Sequence, residues 1–225
     1  TMSEWTPWEE RKVGFYDYLQ KIAENKANVH LLGRINPNRP FYMFTNFKPM
    51  DPKKDFKGKG VGFDGPEWAS TFKALGANLV TVSVPEWYTA LERGVTDAQM
   101  APMTFVKDQS FFEVSKYIID YGIAPANNVV GVINLDKWKS LPPEMRDLMD
   151  KAWADLEPKF YDFQTAGAAK ARQLAIQKKM EFVKFSGADE KWFLDVFDRT
   201  QWNILLDKGV PKKTWNMLRD LAKKP

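Results

Sequence analysis

Between Lys57 and Asp97 the chain alternates β-prone and helix-prone stretches, joined by links too short for any arrangement but strand–helix–strand packing. Residues 57–63, with glycines at 58, 60 and 62, read as a strand that other backbone approaches closely. Pro66 sits near the start of a helix running to about residue 75, and Gly76 ends it. Residues 79–84 form a second strand, and Pro85 opens a short helix through Leu91 that Gly94 stops. This order is the signature of a parallel α/β unit.

The flanks extend the pattern. Residues 5–24 place Trp8, Val13, Phe15, Leu19 and Ile22 at helical spacing, so one amphipathic helix is expected there. Residues 29–32 and the aromatic run 41–45 are strands, the second stopped by Pro49 and Pro52. A short strand and an irregular segment fill 96–110, a short helix covers 111–117, and residues 128–134 are a strand. From Asp136 the chain turns helical. One helix starts after Pro142-Pro143 and runs to about residue 179 with a break near Gly167. A strand at 180–185 and helices reaching 206 and 222 complete an α/β chain with a helical C-terminal region.

Length allows one large domain or two lobes. Apolar residues at 44% and charged residues at 28% describe a globular chain rather than a disordered one. Nine Trp and sixteen Phe exceed what a core of this size demands and suit a cleft that closes on an organic ligand. The net charge of +4 is spread over short, separated lysine pairs, which argues against nucleic acid as a partner. Absence of Cys excludes disulfides and thiol catalysis. No stretch reaches the apolar length of a membrane span, and no apolar secretion segment opens this chain.

Catalytic constellations fail one by one. The glycines at 58, 60 and 62 lie within or before a strand and lack the helix-entry spacing of a dinucleotide or phosphate loop. His30 stands alone beside a strand and reads as structural or surface, so no metal site is expected. Asp97 is a carboxylate, ligand acceptor or turn residue with no paired acid at a useful spacing. No catalytic residues and no cofactor are assigned. Doubly wound sheets bind ligands at the carboxyl ends of their parallel strands. That rule singles out Phe63, Asp64 and Trp68 after one strand, then Glu86, Trp87 and Tyr88 after the next. Gln99 and Met100 join them from the irregular segment, with Tyr121 and Asn127 before the 128–134 strand. For Trp68, Trp87 and Tyr88, ligand contact and helix-to-sheet packing remain equally open.

Phe72-Lys73-Ala74-Leu75-Gly76-Ala77, the 79–84 strand, then Glu86, Tyr88, Thr89, Ala90, Leu91, Gly94, Val95 and Asp97 together resemble one family. It is that of periplasmic solute-binding proteins of tripartite, ion-gradient-driven (TRAP) transporters, the DctP-like family. Asp55-Phe56-Lys57-Gly58, the run from Phe111 to Tyr117 and the run from Trp138 to Glu144 match further landmarks in order. The resemblance implies a periplasmic-binding-protein-like, type II two-lobe fold that here begins after the first strands and helix of lobe one. It implies residues 1–45 as the remainder of lobe one with a crossing strand, 46–128 as lobe two, and 129–225 as a second crossing strand with C-terminal helices. It further implies a periplasmic, non-enzymatic binder of a small organic solute, delivered to the two integral membrane subunits of a permease. The family usually places an arginine, suited to gripping a carboxylate, where this chain has Gly62. Its Glu-Asn before proline reads Met100-Ala101-Pro102 here. The expectation is therefore a solute less acidic, larger or more aromatic than a simple carboxylate, or a charge supplied by another group such as Lys59. The alternative is a structural or regulatory interaction module built on the same fold. The long C-terminal helices carry apolar faces that a homodimer or the intramolecular core would use equally well.

Overall fold

A computed structural model describes residues 5–34, 40–123 and 129–222. In chain order the elements are α1 (Pro7–Lys12), α2 (Phe15–Ala27), β1 (Val29–Arg34), β2 (Phe41–Thr45), β3 (Gly60–Phe63), α3 (Ala69–Ala74) and β4 (Asn78–Thr81). There follow α4 (Trp87–Glu92), β5 (Ala98–Pro102), α5 (Phe105–Asp108), α6 (Phe111–Val114), β6 (Tyr117–Ile123) and β7 (Val130–Asn134). The rest are α7 (Leu135–Ser140), α8 (Pro143–Gln177), β8 (Glu181–Val183), α9 (Gly187–Asp207) and α10 (Lys212–Leu221). They divide into two compact units. One comprises 1–39, 125–166 and 216–225, the other 40–124 and 167–215. The segments expected as 1–45, 46–128 and 129–225 are thus interleaved, with 129–225 contributing to both units.

In the first unit Thr6 caps α1 in a reciprocal box: Glu9 N–H reaches its hydroxyl at 3.4 Å while its own N–H reaches Glu9 Oε2 at 2.8 Å. The single helix expected over 5–24 is two helices, because Gly14 takes a left-handed φ of 76°. Strands β1 and β7 pair antiparallel, with Leu32, Leu135 and Trp138 buried around them. Gly33 and Gly131 face each other across this pair. A Cβ at Gly131 would fall 2.4 Å from the Trp153 indole, and one at Gly33 would fall 2.7 Å from Glu157 Oε1. Trp153 and Glu157 are one turn apart on α8, so the two glycines let that face of the helix settle on the strands.

Glu157 anchors a buried ionic cluster. Its carboxylate accepts Arg11 Nε at 3.1 Å, Arg11 Nη2 at 2.9 Å and the Arg34 backbone N–H at 3.1 Å. Arg34, itself buried, places Nη2 2.8 Å from Oε2 of the fully buried Glu10. The Arg11 guanidinium also stacks 3.9 Å over the Tyr16 ring, whose hydroxyl donates to Leu31 O at 2.7 Å. Burial pushes the Tyr16 phenol up to about 12, against the downward pull of Arg11. A phenol raised in the folded state is proton-bound there while the unfolded chain has already ionised, so stability falls as pH rises from about 10 to about 12. The expected result is that the stability advantage of the native chain over Tyr16→Phe, followed by urea melts, shrinks across that window. A constant difference up to pH 12 would refute it.

The second unit is built on a six-stranded sheet in the order β4-β3-β5-β2-β6-β8. β3 pairs parallel with β4 and with β5, as the alternating pattern required. β2 runs antiparallel to both β5 and β6, and β6 is parallel to β8, so the sheet is mixed. Sequence reading left β6 without a strand. Burial alternates from Ile119 to Ile123, but the outward positions hold Asp120 and Gly122, residues of low β-propensity, and these hid the strand. One face of the sheet carries the ring series Phe63, Trp68, Phe197, Phe193 and Phe56 at centroid spacings of 5.0–6.3 Å. Trp87, Phe105, Phe111 and Phe44 make a second series, which meets the first where Trp87 lies 5.8 Å from Phe63. The break expected near Gly167 is absent; α8 continues through it, and a Cβ there would make ordinary contact with Thr104 at 3.6 Å.

Candidate functional site

The parallel strands β4, β3 and β5 end together at Thr81, Phe63 and Pro102, and the short turns that follow present the residues singled out by sequence. Phe63 closes β3 almost fully buried, with Phe41 edge-on at 5.6 Å, Trp68 at 6.1 Å and Trp87 at 5.8 Å. Asp64, the next residue, is exposed. Trp68 lies in the one-turn helix Pro66–Trp68 and packs on Phe197, 6.0 Å between centroids. Trp87 is 2% exposed, and its indole N–H donates to Val82 O at 2.9 Å. Tyr88, half-buried, donates its hydroxyl to Glu113 Oε2 at 2.9 Å, a bond that raises the phenol above its ordinary range. The fold therefore draws Phe63, Trp68 and Trp87 into one aromatic cluster, and it uses both indoles for packing, where the sequence left ligand contact open.

Three further candidates are core residues. Met100 is fully buried opposite Met43. Tyr121 joins the far end of the ring series through Phe193, 5.8 Å between centroids, its hydroxyl accepting from Phe185 N–H at 2.7 Å and donating to Phe185 O at 3.0 Å. Gln99 is fully buried, and its Nε2 donates to Gly62 O at 2.8 Å. β5 is buried along its whole length, so its side chains are enclosed whichever way they point. Asn127 lies outside the described residues. Among the ten candidates, Asp64 and Glu86, both exposed, and half-buried Tyr88 are those with substantial surface within the described residues.

Gly62 and Gln99 are register partners, and their geometry explains the absence of a side chain at position 62. A Cβ there would lie 2.0 Å from Gln99 Oε1 and 3.0 Å from Thr96 Cγ2. The neutral carboxamide of Gln99 occupies the space a longer side chain at 62 would need. Lys59, the alternative source of charge, sits at the start of β3, away from the strand ends. Its Nζ lies 3.1 Å from Asp97 Oδ1, while Asp97 Oδ2 accepts Gly60 N–H at 2.8 Å. Asp97 thus ties the entry to β3, the turn role among those its sequence left open.

His30 is satisfied inside the first unit. Its ring stacks on Trp138 at 3.9 Å, with Nδ1 2.7 Å from Gln20 Nε2 and Nε2 3.1 Å from Asp150 Oδ1. Among the described residues no three His, Cys, Asp or Glu side chains gather as a metal site would require. Glu86, singled out from sequence, lines an open groove of about 330 Å³ with Thr81, Val82, Thr89, Arg93 and Val95, which sequence reasoning did not name. The spacing of Thr89 and Arg93, i and i+4 on one face of α4 and its C-terminal turn, was the legible signal.

The model of the family described as bacterial extracellular solute-binding protein, family 7, matches residues 9–203. The 2,3-diketo-L-gulonate-binding periplasmic protein YiaO of Escherichia coli is 32% identical over 104 residues, 45% of this chain. The C4-dicarboxylate-binding periplasmic protein DctP of Rhodobacter capsulatus is 24% identical over 203 residues, 85% of this chain. The chain spans 31% of the first relative's length and 58% of the second's. A crystal structure of a TRAP periplasmic solute-binding protein from Desulfovibrio salexigens, with bound orotic acid, superposes with a TM-score of 0.80 at 20% identity. That match covers 96% of this chain and 69% of the other, a likeness of fold.

Proposed function

We propose that this chain, which belongs to family 7 of the bacterial extracellular solute-binding proteins, captures a small organic solute and delivers it to a TRAP-type membrane permease. The family is one of periplasmic, non-catalytic transport proteins, and the periplasm is this chain's compartment. The match over residues 9–203 carries the reading.

The relatives named above bind acids: a diketo-gulonate, C4-dicarboxylates and orotic acid. Our reading for this chain is a less acidic solute, rich in hydroxyls or partly aromatic. Gly62 offers no charge, the Gln99 amide fills the space beside it, and Lys59 is held by Asp97. Asp64 is an exposed carboxylate that would repel an anionic solute but accept hydrogen bonds from hydroxyl groups. We assign the solute's polar contacts in this unit to Asp64 and Tyr88, with Phe63 supplying an aromatic edge.

The test is a thermal-shift panel of succinate, orotate, sugar acids, neutral polyols and small aromatic solutes. A neutral or aromatic solute is expected to raise Tm saturably, with about 2.7 kcal/mol of stabilisation at a hundredfold excess over Kd. Asp64→Asn and Tyr88→Phe should each weaken that shift. A stronger response to dicarboxylates, unaltered by Asp64→Asn, would overturn the ligand class. No shift from any member of the panel would count for the interaction-module reading.

A further inference from the structure

On a helix, steps of three, four and seven residues keep to one face. Met145, Leu148, Ala152, Leu156 and Phe163 follow one another along α8 at such steps, and all five are exposed. The four large ones are 40–72% exposed, so the stripe is not spent on the core of the first unit, to which this half of α8 belongs. Met149, Trp153 and Glu157 supply the inward side of the helix. Pro158 falls about a third of a turn from the stripe and does not interrupt it. An apolar stripe about 27 Å long, left on the solvent side, marks a contact surface.

The stripe matches itself when its direction is reversed. Ala152 is the midpoint of Leu148 and Leu156, and also of Met145 and Lys159. A second α8 running antiparallel, with a two-fold axis at Ala152, sets each Leu148 against the partner's Leu156. It lays Met145 on the aliphatic stem of the partner's Lys159. The small Ala152 meets its own counterpart, which lets the two helix axes approach closely. The charges follow the same rule. Along one margin of the stripe stand Glu144, Lys151, Asp155 and Lys159, alternately acid and base. Reversed, the order is base, acid, base, acid, so a second copy offers the opposite sign to each. Lys159 then reaches the partner's Glu144. Lys151, which meets Asp155 of its own helix at 2.5 Å, has the partner's Asp155 beside it as well. Asp162, the remaining acid of that margin, comes level with the N-terminus of the partner's helix, where the helix dipole favours an acid. Self-complementarity of one patch is what a two-fold dimer requires and an unrelated partner does not.

We propose that two copies of this chain pair antiparallel along this stripe of α8, about a two-fold axis at Ala152. Sedimentation velocity on the full chain from about 1 to about 500 µM is expected to show a reversible monomer–dimer equilibrium. Leu148→Lys should weaken the dimer by about tenfold or more. Leu148 is 62% exposed, so this variant keeps its fold, which an unchanged circular dichroism spectrum in dilute solution verifies. Glu144→Lys should weaken the dimer about tenfold, because the two-fold axis repeats the like-charge contact. Adding Lys159→Glu to it should restore the dimer. Positions 144 and 159 are about 22 Å apart on one helix, so only a second copy brings them together. The chain has no Cys, so Ala152→Cys should cross-link to its own counterpart on mild oxidation. Phe163→Cys should not, since its two copies would stand about 33 Å apart.

A chain that stays monomeric throughout that range, or a dimer indifferent to Leu148→Lys, would overturn the proposal. So would Phe163→Cys cross-linking as readily as Ala152→Cys, or a double charge reversal that fails to recover the dimer. Solute shifts in the thermal panel are expected to be unchanged in Leu148→Lys, so the capture reading stands or falls separately.

Discussion

Glu157→Ala is expected to destabilise the chain by about 3–5 kcal/mol, the range for removing one partner from a buried ionic cluster. The carboxylate holds both nitrogens of one edge of Arg11 and the backbone N–H of Arg34. Removing it leaves the Arg34 N–H without its acceptor in a fully buried setting, and leaves Arg11 partly buried with one fewer anion. Glu10 then remains as the buried acid beside the Arg34 guanidinium. Alanine favours helix, so the loss cannot come from α8 itself. Glu157→Gln keeps shape and one acceptor oxygen, and should lose less than the alanine variant. Urea unfolding at neutral pH measures both. A loss below about 1 kcal/mol for Glu157→Ala would mean the cluster is solvated and not structural.

Gly62→Ala is the second large effect, on the order of 1–3 kcal/mol from overpacking. The added methyl would overlap Gln99 Oε1, and Gln99 is fully buried with its Nε2 tethered to Gly62 O. The amide must therefore leave its bond as well as its place. Among the described residues neither Oε1 of Gln99 nor Oγ1 of Thr96 finds a hydrogen-bond partner, so this corner already carries unsatisfied polar atoms. The double variant Gly62→Ala with Gln99→Ala removes the overlap and should lose less than the sum of the single losses. Strict additivity in that cycle, or a neutral Gly62→Ala, would show that the carboxamide swings away freely. The outcome bears on the ligand, because a charged side chain at 62 is compatible with this fold only if residue 99 yields.

Several elements are legible in the residue order alone. The strand–helix–strand run from β3 to β5 carries its own punctuation in Pro66, Gly76, Pro85 and Gly94, and local chemistry at those positions ends each element where it must. β2 appeared within its observed bounds because five aromatic or β-prone residues lie between turn signals. β6 did not, since Asp120 and Gly122 at its outward positions lower the β-propensity of an otherwise alternating stretch. The break between α1 and α2 depended on one left-handed glycine, and the continuity of α8 on a glycine that stays helical. A glycine's φ is set by what packs around it, which a linear string does not state.

The candidate site divides along the same line. Residue type and position after a strand picked out Phe63, Asp64, Trp68, Trp87, Tyr88 and Gln99, and the strand ends are where five of them lie. Which of these side chains meet solvent was a tertiary matter. Trp68 and Trp87 close on Phe63, and Gln99 turns inward onto Gly62, because covering both faces of the sheet leaves no room for them outside. By itself the sequence determined the class of fold, the family and the bare backbone at Gly62, all of which are read from residue order. Only the folded chain decided that the space at Gly62 belongs to Gln99, and that Glu157 answers to Arg11 and Arg34. Those partners lie 37, 146 and 123 residues apart and meet through packing alone.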